Sequence, residues 1–295
     1  MPLYLFAMDQ RGWLEREIAG WLPGNAVDVR ERVRRAKTLS FAGLCRAVGN
    51  GVDLKEAGIL VDENYGAEIA RRASAEGITL SVPMERAECD VLELEYGAQA
   101  LDHVRALSPD LPKLLIRHNV GGDRANNREQ LRRLLDVSRH LVDEGRKLLL
   151  ELLVPPTPDQ LRSCGGDMRL YDKEVRPGLT VRAVEDIREY GVPVDIWKIE
   201  GMYSKQDATA VGRACTSGAQ STCLVLGRNA AWEDVECWLR NAAASPGYDG
   251  FAIGRTIWLE AVRGALMGEI NDEEAIAHIA SRYLHAVRCY QQAAA

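Results

Sequence analysis

The stretch Val194-Asp195-Ile196-Trp197-Lys198-Ile199-Glu200-Gly201 places an amine inside an apolar segment that predicts a buried strand. Side chains alternate along a strand, so Ile196, Lys198 and Glu200 share one face and Trp197 and Ile199 the other. Burial favours the neutral amine over the ammonium. The chemistry that uses a neutral lysine is attack on a carbonyl to give a Schiff base. The structural alternatives are a lysine snorkelling from a strand end, or one ion-paired to Glu200 or another carboxylate. Glu151 is a second isolated charge, flanked by apolar residues and sharing a face with Leu149 and Leu153. A carboxylate so placed needs a partner or a raised pKa. Asp9 ends the first apolar run on the face of Leu5 and Ala7. A lysine and a carboxylate that both point inward form a Schiff-base site with its own acid/base group. Alternation alone does not fix which parity is inside.

Further polar residues collect where apolar runs end. Asp62 and Glu63 close the second, Glu85 the third and Arg117 the fourth, while Gly227-Arg228 and Gly254-Arg255 follow the last two. Glycine admits a ligand close to the backbone, and arginine grips an oxyanion with two parallel hydrogen bonds. Those two Gly-Arg pairs are therefore candidate phosphate contacts, the alternative being ion pairs between loops. Carboxylates at strand ends also cap helices. A magnesium site built from Asp62, Glu63 and Glu85 is the metal alternative. His103, His140, His278 and His285 fall in predicted helices, only His118 lies at a strand end, and no spacing resembles a zinc motif. No metal and no other cofactor is expected.

Eight strands are predicted to carry these groups: Leu3–Asp9, Ala57–Val61, Thr79–Met84, Lys113–Ile116, Lys147–Val154, the Lys198 strand, Thr222–Leu226 and Gly250–Ile253. Helical periodicity alternates with them, at about 27–48, 67–76, 97–107, 127–144, 180–190, 204–215, 232–244 and 258–267. A last helix at 272–292 reads as a C-terminal extension. Continuous apolar strands alternating with amphipathic helices predict an α/β protein, a (β/α)8 TIM barrel in one domain spanning 1–295. In that fold catalytic groups stand at the C-terminal strand ends, and the loops after strands seven and eight are the usual phosphate site. A doubly wound open sheet is the runner-up, but no glycine-rich dinucleotide motif or P-loop follows the first strand.

A net charge of −6 with interspersed signs argues against a nucleic-acid or anionic-membrane surface. No apolar run approaches the roughly 20 residues of a spanning helix, and no signal peptide is read at Met1–Phe6. Seven cysteines without a C-x-x-C pair suit a reducing, cytoplasmic setting. The expected partner is a small molecule; a homo-oligomer stays open.

Five stretches carry a family resemblance: Met8-Asp9-Gln10-Arg11, Val61–Gly66, Leu150–Pro155, Asp195–Gly201 and Gly250–Trp258. Together they resemble the class I aldolase-like domain found C-terminal to 5-dehydro-2-deoxygluconokinases of inositol catabolism, and more distantly the class I tagatose-1,6-bisphosphate aldolases. The resemblance implies Lys198 as Schiff-base lysine, Glu151 as acid/base, Asp9 and Gln10 on substrate hydroxyls, and Arg255 on phosphate. Arg117 falls where the distant aldolases have a lysine, and Arg228 where they have a small polar loop. The implied reaction cleaves 2-deoxy-5-keto-gluconate 6-phosphate to dihydroxyacetone phosphate and malonate semialdehyde. Arg117 and Arg11 are the candidates for its carboxylate. The alternatives are a tagatose or fructose bisphosphate, a sulfofructose phosphate, or a non-catalytic sugar-phosphate binding protein.

Overall fold

The computed structural model describes residues 1–218 and 220–294. Eight parallel strands, β1 (Leu3–Met8), β2 (Ala57–Val61), β3 (Thr79–Pro83), β4 (Leu111–Arg117), β5 (Leu149–Leu153), β6 (Ile196–Glu200), β7 (Thr222–Leu226) and β8 (Tyr248–Ile253), close in sequence order into a barrel. Closure is made by β1 against β8, with Leu3 opposite Gly250 and Phe6 opposite Ile253. Gly250 has φ 127°, and a Cβ there would lie 2.0 Å from the Leu3 carbonyl oxygen, so only glycine allows this approach. Helices cover the outside, giving the (β/α)8 TIM barrel.

Alternation separates two cores. Leu5, Ala7, Leu60, Leu111, Leu149, Leu224 and Ala252 fill the barrel, while the opposite parity, with Phe6, Leu150, Trp197 and Ile199, packs beneath the helices. Each fully buried large aliphatic side chain is worth about 1.5–3 kcal/mol. The same alternation carries the inward parity from Leu149 to Glu151, from Ile196 to Lys198 and from Ala7 to Asp9, so the polar site sits directly on the apolar plug.

The helix Asp272–Ala294 packs on this chain's own helix Ala26–Gly49, where a Cβ on Gly43 would fall 2.4 Å from Ile279. Its Tyr283 hydroxyl donates to the Tyr4 carbonyl, and its Tyr290 hydroxyl accepts from the Gly250 amide at 2.9 Å. It therefore braces β1 and β8 from outside.

Two regions differ from expectation. A helix at Gly12–Trp21 follows β1, burying Leu14 and Ile18, in a stretch to which the sequence pattern assigns no element. The connection after β5 is also built up: helix Pro158–Ser163, a short turn Met168–Leu170 and a π-helical turn Tyr171–Val175 lead into helix Arg176–Glu189. Thr157 and Gln160 cap the first of these reciprocally, with Pro158 in its first turn, a start signal that short length conceals. Among the described residues no helix is long and apolar enough to cross a membrane.

Candidate active site

At the C-terminal ends of the strands lies a cavity of about 460 Å³. Its floor is a five-membered ionic cluster drawn from β4, β5, β6, the residue after β1 and the residue two beyond β3. Lys198 donates to Glu151 Oε2 at 2.8 Å, and the two residues are direct neighbours across the β5–β6 pairing. The same Oε2 receives Lys113 Nζ at 2.8 Å. Lys113 also reaches Glu85 Oε1 at 2.7 Å and Asp9 Oδ2 at 3.1 Å. Lys113 thus holds three carboxylates, whereas Lys198 holds one. Glu151 lines the cavity, and its Oε1 carries no hydrogen bond among the described residues.

The electrostatics follow from these contacts. Burial would strip the proton from Lys113, but Asp9, Glu151 and Glu85 outweigh it and push its pKa well up. It stays an ammonium. Burial alone would raise Asp9 and Glu151; Lys113 first and Lys198 second reverse this and hold both below the ordinary carboxylate range. Glu85 differs: burial raises it, and Lys113 and Arg11 only partly offset the effect. One of its oxygens, Oε2, is buried without a partner, as are Gln10 Oε1 and Arg11 Nε beside it.

The opposite rim is cationic. Gly254 is the residue before helix Arg255–Met267, and a Cβ there would lie 1.9 Å from the Ala7 carbonyl oxygen. Arg255 stacks 4.8 Å over the Trp13 ring, and among the described residues its side chain makes no ion pair or hydrogen bond. Burial lowers its pKa, the mark of a cation lacking a counter-ion. Arg228 is already engaged, bonding Asp172 Oδ1 at 2.8 Å and facing Glu200 Oε1 at 3.2 Å. Burial would lower it, but Glu200 and Asp172 raise it instead. Arg228 and Asn229 take left-handed φ values of 50° and 60°, which turn the loop after Gly227 back toward the cavity. Asp172 also bonds the fully buried Arg176, tying the π-helical turn to the end of β6.

Of the residues singled out in the sequence, Asp9, Gln10, Arg11, Arg117, Glu151, Lys198, Gly227, Arg228, Gly254 and Arg255 all line this one cavity. Gln10 bonds Asp9 at 3.4 Å; Arg11 is committed to Glu95 at 3.0 Å and to the Glu85 carbonyl at 2.8 Å. The magnesium alternative is dispersed. Asp62 forms a buried ion pair with Lys37 and caps the next helix, Glu63 meets His103 at 2.9 Å, and only Glu85 reaches the cavity. Among the described residues no metal-holding group of three or more His, Cys, Asp or Glu is present. His118 points outward to Asp186 at 2.6 Å. Lys113 was missed altogether. Its place in the alternation Leu111, Lys113, Leu115, Arg117 was the available signal, and it, not Arg117, is the lysine that β4 brings to Glu151.

No curated protein sequence matches the chain. Similar solved structures include a Schiff-base-forming fructose-1,6-bisphosphate aldolase, 15% identical over 95% of this chain and 93% of the other, TM-score 0.56. An archaeal fructose 1,6-bisphosphate aldolase is 15% identical over 96% and 94%, TM-score 0.58. The fructose-bisphosphate aldolase of Plasmodium falciparum is 11% identical over 97% and 90%, TM-score 0.69. At these identities the likeness is one of fold. A protein-family model matches residues 2–294, and the chain belongs to that family, described as uncharacterized proteins conserved in bacteria (DUF2090).

Proposed function

We propose that the protein is a Schiff-base aldolase that cleaves a ketose phosphate. The observation that carries this reading is the unequal pair of lysines on one oxygen of Glu151. Lys113 is fixed as a cation by three carboxylates, which leaves Lys198, with a single carboxylate contact, as the nucleophile. The structural neighbours include an aldolase that forms a Schiff base, consistent with the same chemistry on this barrel.

Lys198 Nζ adds to the ketone carbon, water leaves, and a protonated iminium results. Glu151 Oε1 takes the proton of the hydroxyl on the carbon β to the iminium. The bond between the α and β carbons then breaks, its electron pair flowing into the iminium to give an enamine while the β carbon departs as an aldehyde. Glu151 returns the proton to the enamine carbon, and water releases the ketone. Asp9 and Gln10 stand beside this path to hold substrate hydroxyls. Arg255, with the backbone at Gly254 and Gly227, is the phosphate contact; Arg228 supports that loop through Asp172 and Glu200.

The substrate favoured by the sequence resemblance is 2-deoxy-5-keto-gluconate 6-phosphate. Its ketone adjoins the phosphate-bearing carbon, so Lys198 and Arg255 retain the half that becomes dihydroxyacetone phosphate. Malonate semialdehyde is the departing aldehyde, which would place the protein in inositol catabolism. All seven cysteines are free thiols, in keeping with a reducing cytoplasm. A side-by-side cleavage assay tests the assignment against tagatose and fructose bisphosphates and sulfofructose phosphate. Faster turnover of any of these would remove the substrate and leave the chemistry. Undiminished cleavage by Lys198→Arg, whose guanidinium cannot attack a carbonyl, would remove both.

A further inference from the structure

Arg11, Arg86, Lys113, Lys198 and Arg228 line the cavity in ion pairs with carboxylates. Among the described residues, Arg117 and Arg255 line it without one. Arg117 is half-buried, and its Nη1 donates to the Cys89 carbonyl at 2.9 Å. Its Nε and second terminal nitrogen make no hydrogen bond among the described residues. That free edge is the one that matches the two oxygens of a carboxylate.

Topology sets Arg117 against Arg255. Strands β4 and β8 are four apart in either direction around the barrel, and β6, bearing Lys198, is midway between them. A molecule gripped by Arg255 at one end and covalently held at Lys198 therefore extends toward Arg117. The surroundings of Arg117 already contain a carboxylate: Glu88 is lowered mainly by Arg16, with smaller help from Arg117 and Arg11. An acidic neighbour disfavours a phosphate dianion more than a singly charged, planar group.

We propose that Arg117 binds a carboxylate at the end of the substrate opposite the phosphate, and so selects keto-acid phosphates over sugar bisphosphates. Given the aldolase reading, on which this assignment rests, that carboxylate leaves on the aldehyde product. Arg11 offers no such edge, because Glu95 and the Glu85 carbonyl occupy its two terminal nitrogens and leave only a buried Nε.

Calorimetric titration with 3-hydroxypropionate, a stable three-carbon carboxylate, tests this beside borohydride trapping of dihydroxyacetone phosphate. Arg117→Ala should weaken 3-hydroxypropionate by about tenfold or more, the worth of a charge-assisted hydrogen bond, with a much smaller effect on trapping. Arg117→Lys keeps the charge but not the fork, and should lose affinity while retaining the parent Tm. Inorganic phosphate and 3-hydroxypropionate should bind the parent protein together. Equal affinity for 3-hydroxypropionate in the parent and both variants, or its displacement by phosphate, would overturn the assignment. So would a parallel fall of both ligands and Tm in Arg117→Ala, which would make Arg117 a tether for the Cys89 loop. If dihydroxyacetone phosphate adds no mass at Lys198 in the parent, the aldolase reading fails, and a selective loss of 3-hydroxypropionate still locates a carboxylate site.

Discussion

Replacing Lys113 by methionine, which keeps the length and removes the charge, should change both the stability and its pH dependence. Lys113 is 1% exposed and faces Asp9, Glu85 and Glu151 at 3.1, 2.7 and 2.8 Å. Removing one partner of a buried ion pair costs about 3–5 kcal/mol, because the other charge is left uncompensated. Three carboxylates remain here, and Lys198 and Arg11 compensate only in part, so a loss near about 5 kcal/mol at neutral pH is expected. The sign with pH follows from linkage. In the parent, Asp9 and Glu151 are depressed, so their stabilisation is present above the unfolded carboxylate value of about 4 and is lost as pH falls. Without Lys113, burial dominates and lifts these carboxylates above their unfolded values. Stability then rises as pH falls through the lifted values, a trend that in the parent comes from Glu85 alone among these carboxylates. Urea denaturation of parent and variant between about pH 5 and 8, the span over which lifted carboxylates titrate, reads both effects. A loss below about 1 kcal/mol, the scale of an exposed pair, or a pH slope no steeper than the parent's, would refute the cluster's electrostatic description.

Glu151→Gln should still be trapped by borohydride with dihydroxyacetone phosphate, while turnover falls about 10²–10⁴-fold, as removal of a positioned acid/base group does; loss of trapping would make Glu151 a structural partner of Lys198. Arg255→Ala should weaken dihydroxyacetone phosphate about ten- to a hundredfold, the worth of charge-assisted bonds to an anion. Its stability cost should be small, because Arg255 makes no ion pair among the described residues and gives up only its stacking on Trp13; unchanged affinity by titration would put the phosphate elsewhere.

The barrel was legible in the sequence because each strand is an apolar run with a polar end, and these runs alternate regularly with amphipathic helices. The clustering of Lys198, Glu151 and Asp9 followed from the same alternation, once the fold supplied the inside. Lys113 was lost at a boundary. Pro112 lacks an amide to donate and so argues against a strand continuing through it, which puts Lys113 at the very start of the predicted strand Lys113–Ile116. In the structure β4 begins at Leu111, and Pro112 faces the outer core opposite Val82. The helix Gly12–Trp21 was hidden because Gly12 and Gly20 weaken its propensity, although Leu14 and Ile18 carry the burial. Ion pairing was beyond sequence altogether. Nothing in Gly227-Arg228 distinguishes it from Gly254-Arg255, yet Arg228 is held by two carboxylates and Arg255 stands over an indole.

Peptide mass mapping after borohydride reduction with dihydroxyacetone phosphate tests the central claim most directly. Reduction of an iminium fixes the ligand to the nitrogen that formed it. The added mass should appear on the peptide containing Lys198 and be absent in Lys198→Arg, with Lys113 unmodified. Mass on Lys113 would assign the two lysines in reverse, and no adduct at either would contradict a Schiff-base enzyme.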